Sequence, residues 1–185
     1  MKVFSCAEDY LRHHRPERPV LAFRPHAATR ATKWFLDNFP GRVLYATKAN
    51  DSQPILDAVA AAGIRGFDVA SLAEIERVKS IEGAELYYMN PIKSRGAIAR
   101  AYYEFGARCF AFDSHDELGK ILVATGGAED LTLFLRIAYP NTHSLIPLEG
   151  KYGASAEEVP SLLLRARQHA ARLGIAFHVG SQAVV

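Results

Sequence analysis

The feature that most limits how this chain can fold is a unit that recurs: a short apolar strand, a polar cap, a helix, then a glycine. Four copies follow one another from residue 43 to residue 127. In the first, residues 43–48 read as a strand and 54–62 as a helix, with Gly63 as its C-cap. The second pairs a strand over 66–70 with Ser71-Leu72-Ala73-Glu74, a serine and a glutamate spaced to cap each other's backbone N–H groups. The third runs from a strand over 86–91 into a helix over 95–105 and Gly106. The fourth joins a strand over 109–112 to a second capping box, Ser114 and Glu117, and its helix fades at Gly126-Gly127.

Flanking segments extend the pattern. A helix is expected within residues 1–15, capped by Ser5 with Glu8 and stopped by Pro16 and Pro19. A strand is expected over 20–23 and a helix over 30–39. A fifth strand is expected over 131–137, then an irregular stretch over 138–154, a length that is uncommon unless the segment serves function or moves. Ser155 and Glu158 form a third capping box, opening a helix to about residue 173 with Gly174 behind it. The sixth strand is expected over 175–181.

Strands alternating with helices at this spacing imply parallel pairing with right-handed crossovers. Nearly continuous apolar runs in the strands imply a sheet covered on both faces. The choice lies between an open doubly wound sheet and a (β/α) barrel. No glycine-rich phosphate fingerprint follows the first strand of the repeat, where Lys48-Ala49-Asn50-Asp51 stands instead, and that counts against a nucleotide-binding sheet. The expected class is α/β, an incomplete (β/α)8 TIM-type barrel with about six of eight strands. Residues 1–24 would form a helix and strand preceding the barrel, and residues 25–185 the partial barrel.

Polar residues fall where barrel enzymes keep their sites. Lys48, Asp68, Asn90, Asp113, Arg136 and His178 all lie at or near C-terminal strand ends. Lys48 is a candidate Schiff-base nucleophile, since a partly desolvated ammonium gives up its proton more easily. Asp68 and Asp113 also suit helix caps, and a lone histidine on an apolar strand also suits a satisfied core. Arg136, inside an apolar strand, needs a partner: a carboxylate such as Asp68, or a bound anion. No HxxxH, CxxC or GxSxG is present, so a metal site and a serine hydrolase lack support.

Composition narrows the classes. A formal charge of +2 is too small to argue for nucleic acid or a membrane surface. Cys6 and Cys109 are too few for a disulfide framework, so a reducing cytoplasm is expected. No apolar leader and no run of membrane-span length is found.

Seven segments occur together and in order: Tyr45-Ala46-Thr47-Lys48-Ala49-Asn50; Phe67-Asp68-Val69-Ala70-Ser71 with Glu74-Ile75; Asn90-Pro91-Ile92-Lys93-Ser94; Phe112-Asp113-Ser114; Leu135-Arg136-Ile137; Gly150-Lys151-Tyr152-Gly153-Ala154; and Phe177-His178-Val179-Gly180-Ser181. The chain from about Val20 onward resembles the N-terminal part of the fold-type III pyridoxal-phosphate decarboxylases, the ornithine, lysine and diaminopimelate group, with the ornithine/lysine branch closest. The resemblance implies an alanine racemase-like barrel and pyridoxal 5'-phosphate as cofactor. It implies decarboxylation of a basic amino acid, ornithine or lysine, to a diamine in polyamine biosynthesis. Lys48 would carry the cofactor covalently, His178 would stack on its ring and Ser181 would help bind its phosphate. Asp68 and Arg136 would line the pocket with Glu74 close behind, and Lys151 would lie near a homodimer interface.

The resemblance also implies parts that these residues lack: a glycine-rich phosphate loop, an acidic residue facing the pyridine nitrogen, and a β-domain with a Cys-Asp pair. The expectation is therefore a fragment with weak cofactor binding and little turnover by itself. A racemase-like or non-catalytic cofactor-binding protein on the same barrel is the alternative, although the Tyr-Gly-His-Gly of the racemases is replaced by Asp51-Ser52-Gln53. A half-barrel assembly module without chemistry is a third reading.

Overall fold

A computed structural model describes residues 3–141, 143–146 and 150–183. Two helices come first, α1 (Ala7–His14) and α2 (Pro25–Asn38), and then the alternation begins. Its members are β1 (Leu44–Ala46), α3 (Gln53–Ala61), β2 (Gly66–Val69), α4 (Leu72–Val78), β3 (Glu85–Tyr88), α5 (Arg95–Tyr103), β4 (Cys109–Phe112), α6 (His115–Ala124) and β5 (Thr132–Arg136). A short strand β6 (Ser144–Ile146), helix α7 (Val159–Arg167), β7 (Arg172–Ala176) and β8 (Ser181–Ala183) complete the order. Six strands form one parallel sheet in the order β1-β2-β3-β4-β5-β7, and β6 pairs with β8 in a separate antiparallel ribbon. Each strand of the main sheet lies beside its neighbour in sequence, as expected of a barrel and not of a doubly wound sheet, whose order reverses. The fold is thus an α/β partial barrel.

The core lies between sheet and helices. Phe67, Val69, Leu86, Tyr88, Phe110, Phe112, Leu133 and Leu135 are buried on the helix side, against Leu56, Ile75, Ile98, Leu118, Ile121 and Leu162. Alternate strand residues such as Asp68, Tyr87, Phe134 and Arg136 are only half-buried. The strands therefore alternate more than the expected two-sided cover implies, because the concave face is partly open among the described residues. Helix starts follow their caps: the hydroxyls of Ser71, Ser94 and Ser114 accept from the backbone N–H groups of Glu74, Ala97 and Glu117.

Several expectations are corrected. Residues 20–23 form no strand; Val20 and Leu21 are exposed, and among the described residues no neighbouring strand pairs with them. Helix α1 starts at Ala7, and Ser5 bonds Asp9 (Oγ to Oδ2, 3.1 Å) instead of boxing with Glu8. Helix α2 begins at Pro25, ahead of the expected residue 30, because proline suits the first helical turn. The Ser155 box forms by half: the Ser155 N–H donates to Glu158 Oε2 (3.1 Å), but the helix starts only at Val159.

The largest shift is at the sixth barrel strand, which occupies Arg172–Ala176 rather than 175–181. Gly174 looks like a helix cap in sequence, yet it faces Phe134 across the ladder. A Cβ there would come within 2.7 Å of the Phe134 ring, so the glycine is a strand residue that makes room for a cross-strand aromatic.

Candidate active site

Strand β1 ends at Ala46, and Thr47–Ala49 form a single 3₁₀ turn that lifts Lys48 off the strand end. Lys48 is exposed, so the burial expected of it is not found. Thr47 beneath it is fully buried, and its Oγ1 finds no hydrogen-bond partner among the described residues. The turn is held from below: Asn50 Oδ1 accepts from Ser52 N–H (3.0 Å) and Ser52 Oγ (2.7 Å), and the Tyr45 hydroxyl donates to Asn50 O (3.0 Å).

One strand over, Ala46 pairs with Asp68 in β2, so Asp68 stands beside the foot of the lysine turn. Burial raises the Asp68 carboxyl above the ordinary carboxylate range. Lys48 opposes that shift, Glu74 adds to it and Arg136 opposes it. Glu74 itself is anchored at the head of α4, where Oε2 accepts from Ala70 N–H (2.9 Å), one residue before the Ser71 N–H expected of a capping box.

On the far side, Arg136 ends β5 and registers with Ala176 of β7. His178 follows β7 by two residues. Its Nδ1 accepts from Gly180 N–H (2.9 Å), which leaves Nε2 to carry the proton of a neutral ring. Burial lowers its pKa below the ordinary histidine value, and the charges of Arg136 and Lys48 lower it further. Lys48 and Arg136 thus act on both Asp68 and His178, although residues 48 and 178 come from the two outermost strands' ends.

The other strand-end residues are used differently. Asn90 turns its side chain onto its own loop, Nδ2 donating to Ile92 O (2.7 Å). Asp113 accepts the Gly153 N–H (3.0 Å) and so holds the chain that returns to β5. Ser181 belongs to the β6–β8 ribbon, opposite Ile146, and no hydrogen bond joins its hydroxyl to the other site residues among those described. Arg136 makes no ion pair with Asp68 within 4 Å; its guanidinium carbon lies 5.2 Å from the centre of the Tyr152 ring. Lys151 is exposed, with Nζ 5.1 Å from that ring. Tyr152 carried no signal in the sequence as a lone residue, because only the return of its loop to β5 brings it to Arg136.

A pH test follows from Asp68. A carboxyl whose folded pKa is raised contributes stability that is full below its unfolded pKa and is lost as pH rises through the folded one. Wild-type protein should therefore lose ground to Asp68→Asn as pH is raised through and above the carboxylate range, in urea midpoints compared at pH 4 and 7. Equal differences at both pH values would contradict the burial of this carboxyl.

Comparison with known proteins identifies the family. Residues 26–184 match the family model described as "Pyridoxal-dependent decarboxylase, pyridoxal binding domain". The chain is 40% identical over 148 residues to a lysine/ornithine decarboxylase of Selenomonas ruminantium, covering 77% of this chain and 36% of that one. It is 41% identical over 140 residues to an ornithine decarboxylase of Panagrellus redivivus, covering 74% and 31%. Among solved structures, a variant SrLDC in complex with PLP superposes with a TM-score of 0.82 at 31% identity, covering 100% of this chain and 48% of that one. The chain spans about a third of the length of the curated relatives it matches. With residues 26–184 matched by that family model, the chain belongs to the pyridoxal-dependent decarboxylases, of which it carries the pyridoxal-binding domain.

Proposed function

We propose that this chain is the cofactor-binding part of a decarboxylase acting on a basic amino acid, ornithine or lysine, releasing the diamine for polyamine biosynthesis. Residues 25–185 form the cofactor domain and residues 1–24 precede it. The observation that carries this reading is the placement of Lys48, Asp68, Arg136 and His178 at one end of a single parallel sheet, just after β1, within β2, at the end of β5 and just after β7. The relatives act in name on lysine and ornithine, which supplies the substrate class.

The residues fit pyridoxal phosphate. Lys48 is an accessible amine for the cofactor's aldehyde. Lys48 and Arg136 put positive charge around His178, and that field suits a phosphate ester and a substrate carboxylate. A neutral imidazole, already fixed through Nδ1, suits packing against an aromatic ring without adding a third cation. When bound, the cofactor supplies an electron sink that lets carbon dioxide leave the amino acid. Lys48 would hold the cofactor through Nζ, and that amine is also placed to give or take a proton. Asp68 lines the pocket beside it, Arg136 offers N–H donors to an anion, and Ser181 contributes a hydroxyl toward phosphate. The working form is a cytoplasmic homodimer with Lys151 near its interface. Among the described residues no helix is long and apolar enough to cross a membrane.

The test is cofactor titration followed by absorbance and, in the same samples, amine release from ornithine, lysine and diaminopimelate. The expected result is a cofactor spectrum that Lys48→Ala loses and a preference for ornithine or lysine in any turnover. Identical spectra for both proteins would overturn the assignment of Lys48.

A further inference from the structure

The chain that returns to β5 after its long excursion is built to hold one aromatic ring in place. Ala154 N–H donates to Arg136 O (2.9 Å), and Ala138 N–H donates to Ala154 O (2.9 Å), so residue 154 runs beside the strand end as a short parallel bridge. Gly153 has φ +111°, and a Cβ there would lie 2.4 Å from Ala138 N, so the backbone approaches β5 as only glycine can. From the neighbouring strand end, Asp113 Oδ2 accepts the Gly153 N–H at 3.0 Å. These contacts leave Tyr152 little freedom, and its ring faces the Arg136 guanidinium at 5.2 Å. Contact through the ring's π-cloud uses none of arginine's five N–H donors, which stay available for an anion.

We propose that Tyr152 is a positioning residue of the site: its ring sets the Arg136 guanidinium, and Asp113 sets Tyr152 through the Gly153 backbone. This inference rests on Arg136 belonging to the cofactor and substrate pocket. It assigns the ring, not the hydroxyl, as the working part of Tyr152, and the acceptor oxygen, not the charge, as the working part of Asp113.

The consequence is readable without bound cofactor. Arg136 and Lys48 are the charged groups that act on His178, so a loosened Arg136 changes how that imidazole titrates. The experiment follows the His178 ring protons by NMR across pH in the full chain, with the signal identified by its loss in His178→Gln. Tyr152→Leu and Asp113→Ala should both raise the His178 midpoint toward its ordinary value of about 6.5. Tyr152→Phe, which keeps the ring, and Asp113→Asn, which keeps the acceptor oxygen, should match wild type. Pyridoxal-phosphate affinity should fall roughly threefold to tenfold in the first pair only. If Tyr152→Leu does not fold, Asp113→Ala decides. Wild-type midpoints in Tyr152→Leu and Asp113→Ala would overturn the proposal, as would a Tyr152→Phe that behaves like Tyr152→Leu. Covalent trapping at Lys48 is a separate readout, so failure of the cofactor reading and failure of this positioning role are distinguishable.

Discussion

Glu117→Ala should lower stability by about 3–5 kcal/mol, seen as a large drop in urea midpoint with the slope unchanged. Lys93 is the reason. Its side chain is fully buried, and Nζ donates to Ala111 O (2.6 Å) and Asn90 O (2.8 Å) and pairs with Glu117 Oε1 at 2.9 Å. Strands β3 and β4 stop pairing after Tyr88 and Phe110, and the ammonium occupies the gap where a longer ladder would have satisfied the Ala111 carbonyl. Removing Glu117 leaves that buried charge with neutral carbonyl partners and no counter-charge. Replacing the whole pair, Lys93→Met with Glu117→Leu, should recover most of the loss, since apolar packing often matches a buried ion pair.

The pair also carries a pH signature. Burial, opposed by Glu117, lowers the Lys93 pKa from 10.5 to about 8. A group whose folded pKa is depressed contributes stability present above the unfolded pKa and lost as pH falls through the folded one. Wild-type stability should therefore rise between pH 8 and pH 10.5 relative to the double variant. A constant difference over that window would show that Lys93 is not held in this buried setting.

Gly153→Ala should cost about 3 kcal/mol or more, because it meets two penalties at once. The backbone at φ +111° disfavours any side chain, and the new methyl would sit 2.4 Å from Ala138 N and 2.6 Å from Ile137 C. Neither obstacle is a flexible side chain that could move aside. Thermal unfolding of the variant checks this, and a melting temperature equal to wild type would mean that the loop does not lie against β5. By contrast, Gly96→Ala, in the first turn of α5 with nothing within 4 Å of the added methyl, should be tolerated.

The barrel could be read from the chain because its repeat is local. Apolar runs of four or five residues, a serine cap and a closing glycine are each decided within about 20 residues, and Ser71 and Ser114 cap as their spacing implies. That Lys48, Asp68, Arg136 and His178 lie at one end of the sheet was legible for a related reason: strand ends in a parallel barrel share one mouth, so position along each strand already implies proximity. What stayed hidden depends on contacts between distant segments. Gly174 resembles a helix stop until Phe134 of β5 lies across from it. Glu117 resembles the second half of a capping box until Lys93, 24 positions earlier in sequence, claims its carboxylate. Tyr152 has no marking of its own; only the Asp113 contact and the glycine beside it reveal why a ring is placed there. Residues 20–23 erred in the opposite sense, with strand-forming side chains and no ladder to join.

The measurement that tests the central claim most directly is reductive trapping. The purified chain is incubated with pyridoxal phosphate, reduced with borohydride, digested, and mapped by mass spectrometry. The label should sit on the peptide that contains Lys48, should be lost in Lys48→Ala, and should not reappear on Lys93 or Lys151. A label spread over exposed lysines and undiminished in Lys48→Ala would contradict the claim that this strand tip is where the cofactor is held.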